Sequence, residues 1–187
     1  MVLSDEKIML LIQDDGSFDK GFELLVRTHQ EKLYWHIRRI VHIHEDADDV
    51  LQNTFIKVFK NIKGFSGKSK LYTWLYRIAT NEAITHINKQ KKKAIGQIEG
   101  EAIPLENMLK ADQYFDENNA QLLLKMAIEQ LPEKQRAVFN MRYYDEMSYK
   151  DISESLETSV GALKASFHHA IKKIENYLED NMDYVYG

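Results

Sequence analysis

Apolar residues in this chain recur every third or fourth position wherever they cluster, and that period belongs to helices rather than strands. Ala47, Val50, Leu51, Phe55, Val58, Phe59 and Ile62 form one stripe, with Asp48, Asp49, Gln52, Asn53 and Lys57 on the other face. Leu71, Trp74, Leu75, Ile78, Ala83 and Ile87 form a second stripe. Upstream, Phe22, Leu25, Val26, Leu33, Tyr34, Ile37 and Ile40 supply at least one more helix. Two prolines and eight glycines in 187 residues leave little material for the turns of a β sandwich or barrel. The expectation is an all-α protein.

The periodicity also divides the chain. Lys63-Gly64-Phe65-Ser66-Gly67-Lys68 interrupts it once, as a loop between two helices. From about Ala94 to Asn118 it dissolves, with Gly96, Gly100 and Pro104 among acids, although a short helix around Leu105 to Leu109 is compatible with the pattern. Four closely spaced helical segments follow. Pro132 suits a helix start, Ser148 sits three residues before Asp151 as an N-cap, and Thr158-Ser159 offers another. The chain therefore reads as two small helical domains joined by an acidic linker: residues 1–93, a linker over 94–118, and residues 119–187.

Charge sharpens this division. The net charge of −4 conceals +9 over residues 57–93, −5 over 94–120 and −3 over 121–187. A basic segment with Phe65, Tyr72, Trp74 and Tyr76 among its lysines suits a single nucleic-acid strand, which offers phosphates and stacking faces together. A solvated helix end rich in lysine explains Lys91-Lys92-Lys93 equally well, and Trp74 also falls on an apolar stripe. With no cysteine, disulfides and thiolate metal sites are excluded, and a reducing cytoplasm is the natural setting. The apolar run from Ile8 to Ile12 is too short for a signal peptide, and no stretch is long enough to insert in a membrane.

A short helix, the turn Glu157-Thr158-Ser159-Val160 and a longer helix describe a helix-turn-helix, in which Ile152 and Val160 would lock the pair together. Lys164 and His168 then lie four apart on one side of the second helix, and Ala162, Ala165 and Ser166 would let its backbone approach a DNA groove. An ordinary two-helix packing unit has the same spacing. His42, His44, Glu45 and Asp46, with Asp48 and Asp49, invite a metal reading, but spacings of two on a helix point side chains apart. No phosphate-binding loop, nucleophile elbow or Ser/His/Asp set is present, so neither catalysis nor a cofactor is expected.

Asp46-Ala47-Asp48-Asp49-Val50-Leu51-Gln52-Asn53-Thr54-Phe55-Ile56-Lys57-Val58-Phe59 resembles the segment by which bacterial sigma-70-type factors grip the clamp helices of RNA polymerase. Phe65-Ser66-Gly67 with Tyr72-Thr73-Trp74-Leu75-Tyr76-Arg77-Ile78-Ala79-Thr80-Asn81 resembles their promoter-melting segment. Leu131-Pro132-Glu133-Lys134-Gln135-Arg136, Ser148-Tyr149-Lys150-Asp151-Ile152 and Ser159-Val160-Gly161-Ala162-Leu163-Lys164 resemble their C-terminal helix-turn-helix. Order, spacing and length are similar to the two-domain extracytoplasmic-function (ECF) group, over about residues 18–180.

The resemblance implies an alternative sigma factor that binds core RNA polymerase and directs promoter recognition and transcription initiation. It implies polymerase contacts at Asp48, Asp49, Gln52, Phe55 and Phe59. It implies contacts to the melted −10 strand at Phe65, Ser66, Lys68, Lys70, Trp74, Arg77 and Asn81, with a base flipped into the loop. It implies contacts to the −35 duplex at Ser159, Ala162, Lys164, Ala165, His168 and His169. The acidic linker would thread toward the polymerase's RNA channel, and an anti-sigma factor, which the family often has, would cover the apolar and basic faces. The family often carries arginine where Ser166, His169 and Ile171 stand, and Asp then Arg at Thr85 and Asn88. These departures bear on promoter sequence and DNA affinity rather than on fold. A stand-alone helix-turn-helix regulator is the alternative, and it would leave the Asp46–Phe59 face without a use.

Overall fold

Each stripe expected to be helical is helical in the computed structural model, which describes residues 4–95 and 119–181. Among the described residues there are eight α-helices and no strand. The first four are α1 (Asp5–Gln13), α2 (Phe18–Val41), α3 (His44–Asn61) and α4 (Leu71–Ile95). The last four are α5 (Asn119–Glu129), α6 (Glu133–Tyr143), α7 (Tyr149–Leu156) and α8 (Val160–Asp180). The expected linker lies outside the described residues except for Ala94 and Ile95, which close α4, and the segment Leu105 to Leu109 lies outside them too.

The apolar run at Ile8 to Ile12, too short for a signal peptide, is α1. Ile8 and Ile12 are fully buried, and α1 crosses α2 where Gly21 lets the backbones meet. A Cβ on Gly21 would stand 2.8 Å from the Ile12 backbone nitrogen. Helix α2 buries Leu25, Leu33, Ile37 and Ile40 and stops at His42, whose φ of 67° turns the chain into α3. Helix α3 buries Ala47, Val50, Thr54 and Val58, and the Thr54 hydroxyl donates to the Val50 carbonyl at 2.7 Å. The expected stripe is thus narrower than the sequence suggested. Leu51 and Phe55 are half-buried at its edge, and Phe59 is 48% exposed.

The second half confirms both expected caps. The Ser148 side chain accepts from the Asp151 backbone N–H at 3.1 Å, and Ser159 accepts from that of Ala162 at 3.3 Å. Pro132 precedes α6 and Glu157 turns the chain between α7 and α8 in the left-handed region, with φ 51°. One expectation fails here. Ile152 is buried, but Val160 is 38% exposed; Leu163, three residues further along α8, supplies the apolar contact. As the first residue of α8, Val160 points to solvent beside its Ser159 cap.

Two apolar clusters result. A smaller one, with Ala127, Ile128, Leu131, Phe139, Ala170 and Ile174, belongs to the second half alone. The larger one crosses between halves: Val138, Met141, Met147, Ile152 and Leu163 share it with Leu33, Ile37, Leu75 and Ala79. Helix α7 packs on α4, and α6 approaches α2.

Candidate nucleic-acid interface

Three exposed surfaces carry the residues singled out from the sequence. The first is the outer face of α3. Asp48, Asp49 and Gln52 are exposed there, together with Ile56 at 45% and Phe59 at 48%. Phe59 is held by edge contacts to Phe18 and Phe22, with ring centroids 5.3 and 5.0 Å apart. Phe55 faces inward and packs against the core, so it shapes the helix more than it presents a contact. Ile56 was missed from sequence because it falls off the apolar stripe; that misfit with the period was the available signal.

The second surface is the 65–70 loop and the adjoining face of α4. A short 3-10 turn over Ile62–Gly64 and Gly67, at φ +68°, bend the chain so that Phe65 lies against Trp74, with centroids 5.4 Å apart. Ser66, Lys68, Lys70, Arg77 and Asn81 are exposed around them. Phe65, Lys68, Trp74 and Arg77 line a cleft of about 490 Å³. An aromatic pair with a cationic rim suits a stacked, unpaired base with its phosphates. Trp74 is both half-buried core and cleft wall.

The third surface is the start of α8. Ser159, Ala162, Lys164, Ala165, His168 and His169 are all exposed, and the small side chains leave the backbone open to approach. The Lys164 ammonium lies 5.9 Å from the centre of the Tyr149 ring, and the Arg142 guanidinium lies 5.4 Å from the same ring. Tyr149 therefore steadies one cation at the start of α8.

The second and third surfaces are brought together by the packing of α7 on α4. The far wall of the cleft is Ser153, Glu154 and Glu157. Arg77 pairs with Glu157, and Lys70 reaches Asp151 at 3.3 Å. Thr73 donates to the same carboxylate at 3.4 Å, and Ser155 donates to the Thr73 carbonyl at 3.1 Å. The hydrogen bond from Lys70 to Asp151, followed by the field of Tyr72, raises the Lys70 ammonium above its ordinary value. Burial works to raise Asp151, but hydrogen bonds from Ser148, Tyr72 and Lys70 outweigh it and hold the carboxyl below the usual range. A second polar junction lies between α2 and the α6–α7 turn. There Asp145, its side chain 5% exposed, accepts from His36 at 2.7 Å and from Arg39 at 2.9 Å. Burial, then the nearby Asp145 charge, pushes the Tyr76 hydroxyl's pKa up. None of His36, Arg39 or Asp145 carries a sequence signal, since α2 and the α6–α7 turn meet only in the tertiary fold.

Residues 25–93 match Sigma-70 region 2, and residues 121–174 match Sigma-70, region 4. The chain is 31% identical to the ECF RNA polymerase sigma factor SigW of Bacillus subtilis (strain 168), over 86% of this chain and 90% of that one. It is 30% identical to the ECF RNA polymerase sigma-E factor of Escherichia coli (strain K12), over 95% of each. Its fold is similar to that of the sigma factor RpoE from Bartonella quintana, solved in complex with the anti-sigma factor NepR. The TM-score is 0.68 at 22% identity, over 86% of this chain and 98% of that one. It is also similar to CnrH, solved with the cytosolic domain of CnrY, with a TM-score of 0.70 at 18% identity, over 95% of this chain and 98% of that one.

Proposed function

The chain belongs to the ECF group of the sigma-70 family, and from that premise we propose that it is an alternative sigma factor whose three exposed surfaces divide the work of transcription initiation. The outer face of α3, with Asp48, Asp49, Gln52, Ile56 and Phe59, binds core RNA polymerase. The Phe65–Trp74 cleft with Ser66, Lys68, Lys70, Arg77 and Asn81 takes the melted −10 strand. Ser159, Ala162, Lys164, Ala165, His168 and His169 read the −35 duplex. Residues 1–93 and 119–187 act as separate modules on these two elements, and 94–118 connects them. The protein contributes recognition and leaves the chemistry to polymerase, so it takes no cofactor, and it works in the cytoplasm. Among the described residues no helix is long and apolar enough to cross a membrane.

The observation that carries this reading is the α3 face. Two large apolar side chains, Ile56 and Phe59, stand 45% and 48% exposed beside Asp48, Asp49 and Gln52, which is the composition of a partner surface rather than of a solvated helix. A regulator acting on duplex DNA alone has no use for it. An anti-sigma factor that covered this face and the basic cleft would silence the protein. Co-purification with sigma-free core polymerase, in competition with a known sigma factor, tests the assignment. Stoichiometric binding that the competitor displaces is expected. A folded sample that does not bind, yet retards a specific duplex by itself, would sink it in favour of the stand-alone regulator.

A further inference from the structure

The 65–70 loop stands between two cavities. One is the Phe65–Trp74 cleft described above. The other, of about 480 Å³, lies between the loop and α1. Phe65, Ser66 and Ser69 are walls of both. The lysines divide, with Lys68 lining the Trp74 side and Lys70 the α1 side. A run of phosphates crossing the loop therefore meets a cation at each cavity, and unpaired bases of one strand can drop to either side of it.

The α1 side differs in chemistry from the Trp74 side. Glu6, Met9 and Gln13 step by three and four along one face of α1, and all three line the cavity. Met9 is half-buried and, with the Tyr72 ring, gives an apolar wall. Asp5 also reaches the cavity, but His29 holds it at 3.1 Å. Glu6 and Gln13 are exposed and have no hydrogen-bond or ion-pair partner among the described residues. A carboxylate repels phosphate, so this wall does not suit a nucleic-acid backbone. It suits a base edge: a carboxylate accepts from an exocyclic amino group, and a carboxamide both donates and accepts. Thymine presents carbonyl oxygens in place of that amino group, and a carboxylate repels them. The volume is in the range of small-ligand sites. We propose that the α1 side of the 65–70 loop is a second base-reading site. There Glu6 and Gln13 hold one unpaired base that carries an exocyclic amino group, and Met9 and Tyr72 pack its ring. The site rests on the assignment of the loop to the melted strand made above, and it gives that assignment a specificity: at one position of the strand, thymine is rejected.

Holoenzyme assembled from the full-length protein and core polymerase tests this. It selects from a pool of premelted duplexes whose unpaired non-template strand is randomised, and the bound fraction is sequenced. The wild type should deplete thymine at one position by about tenfold, the size of one lost base contact. Glu6→Ala and Gln13→Ala should each flatten the preference at that position and leave the others as they were. Glu6→Lys should reverse it toward thymine, whose carbonyl oxygens accept from an ammonium. A merely structural role for α1 would not turn the preference in a chosen direction. An unchanged profile in all three variants, or an even loss of binding to every sequence, overturns the α1 site and leaves the Trp74 cleft assignment standing. A wild-type profile with no base preference anywhere in the unpaired strand overturns the site together with the assignment of the loop to the melted strand's bases.

Discussion

Gly21 and Asp151 show how single positions set the packing. Alanine normally stabilises a helix interior relative to glycine by about 1 kcal/mol. At position 21 the sign reverses, because the added Cβ would stand 2.8 Å from the Ile12 backbone nitrogen and 2.9 Å from Leu11 Cβ. Gly21→Ala should cost about 1–3 kcal/mol in denaturant unfolding, as overpacked sites do. Asp151 joins the Ser148 cap to Lys70 and Thr73 on α4. Its depressed carboxyl stabilises the fold fully above the unfolded value of about 3.9, and that stabilisation disappears as pH falls through the folded value. The acid limb of the stability profile should therefore flatten in Asp151→Asn, measured by urea midpoints between pH 2 and pH 5. Ser148→Ala, losing the cap, should cost about 1 kcal/mol at neutral pH.

At the scale of elements, α3 and α8 each present one face to the core and one to solvent. Gln52 and Ile56 are exposed on α3, whereas Phe55 packs inward, so a clean test avoids Phe55. Gln52→Ala combined with Ile56→Ala should weaken core-polymerase binding by about 2 kcal/mol, a hot-spot loss, with melting temperature unchanged. A fall in thermal stability of similar size would make the face structural. On α8, Lys164→Ala should weaken use of one upstream duplex element by about 1–3 kcal/mol and leave polymerase binding as it was. Equal loss on every promoter would reassign Lys164 to phosphate. Period and caps made these helices legible in the sequence. The turn motif misplaced Val160, and the period put Phe59 on a buried stripe, because a local pattern gives the direction of a face but not how far a neighbouring helix reaches across it.

For the whole molecule, the decisive feature is an apolar cluster shared between halves, with Ile152 and Leu163 beside Leu75 and Ala79. Burial of that kind couples the halves, so calorimetry at pH 6 should show one transition. Asp145→Ala should split it into two, one per half, and a single unchanged transition in that variant would remove Asp145 from the coupling. The exposed pairs Arg77–Glu157 and Lys91–Glu133 contribute little, since water and salt screen them.

Helix content, the order of the segments, both serine caps and the three surfaces were determined by the sequence, because period, capping chemistry and local charge act over a few residues. Sequence also carried the family, through motifs confined to single segments. Tertiary structure alone decided that α7 docks on α4, that Asp151 and Glu157 meet Lys70 and Arg77, and that His36 finds Asp145 across 109 positions of chain. Such contacts depend on which faces of distant helices are left to bury together, and no local pattern records that choice.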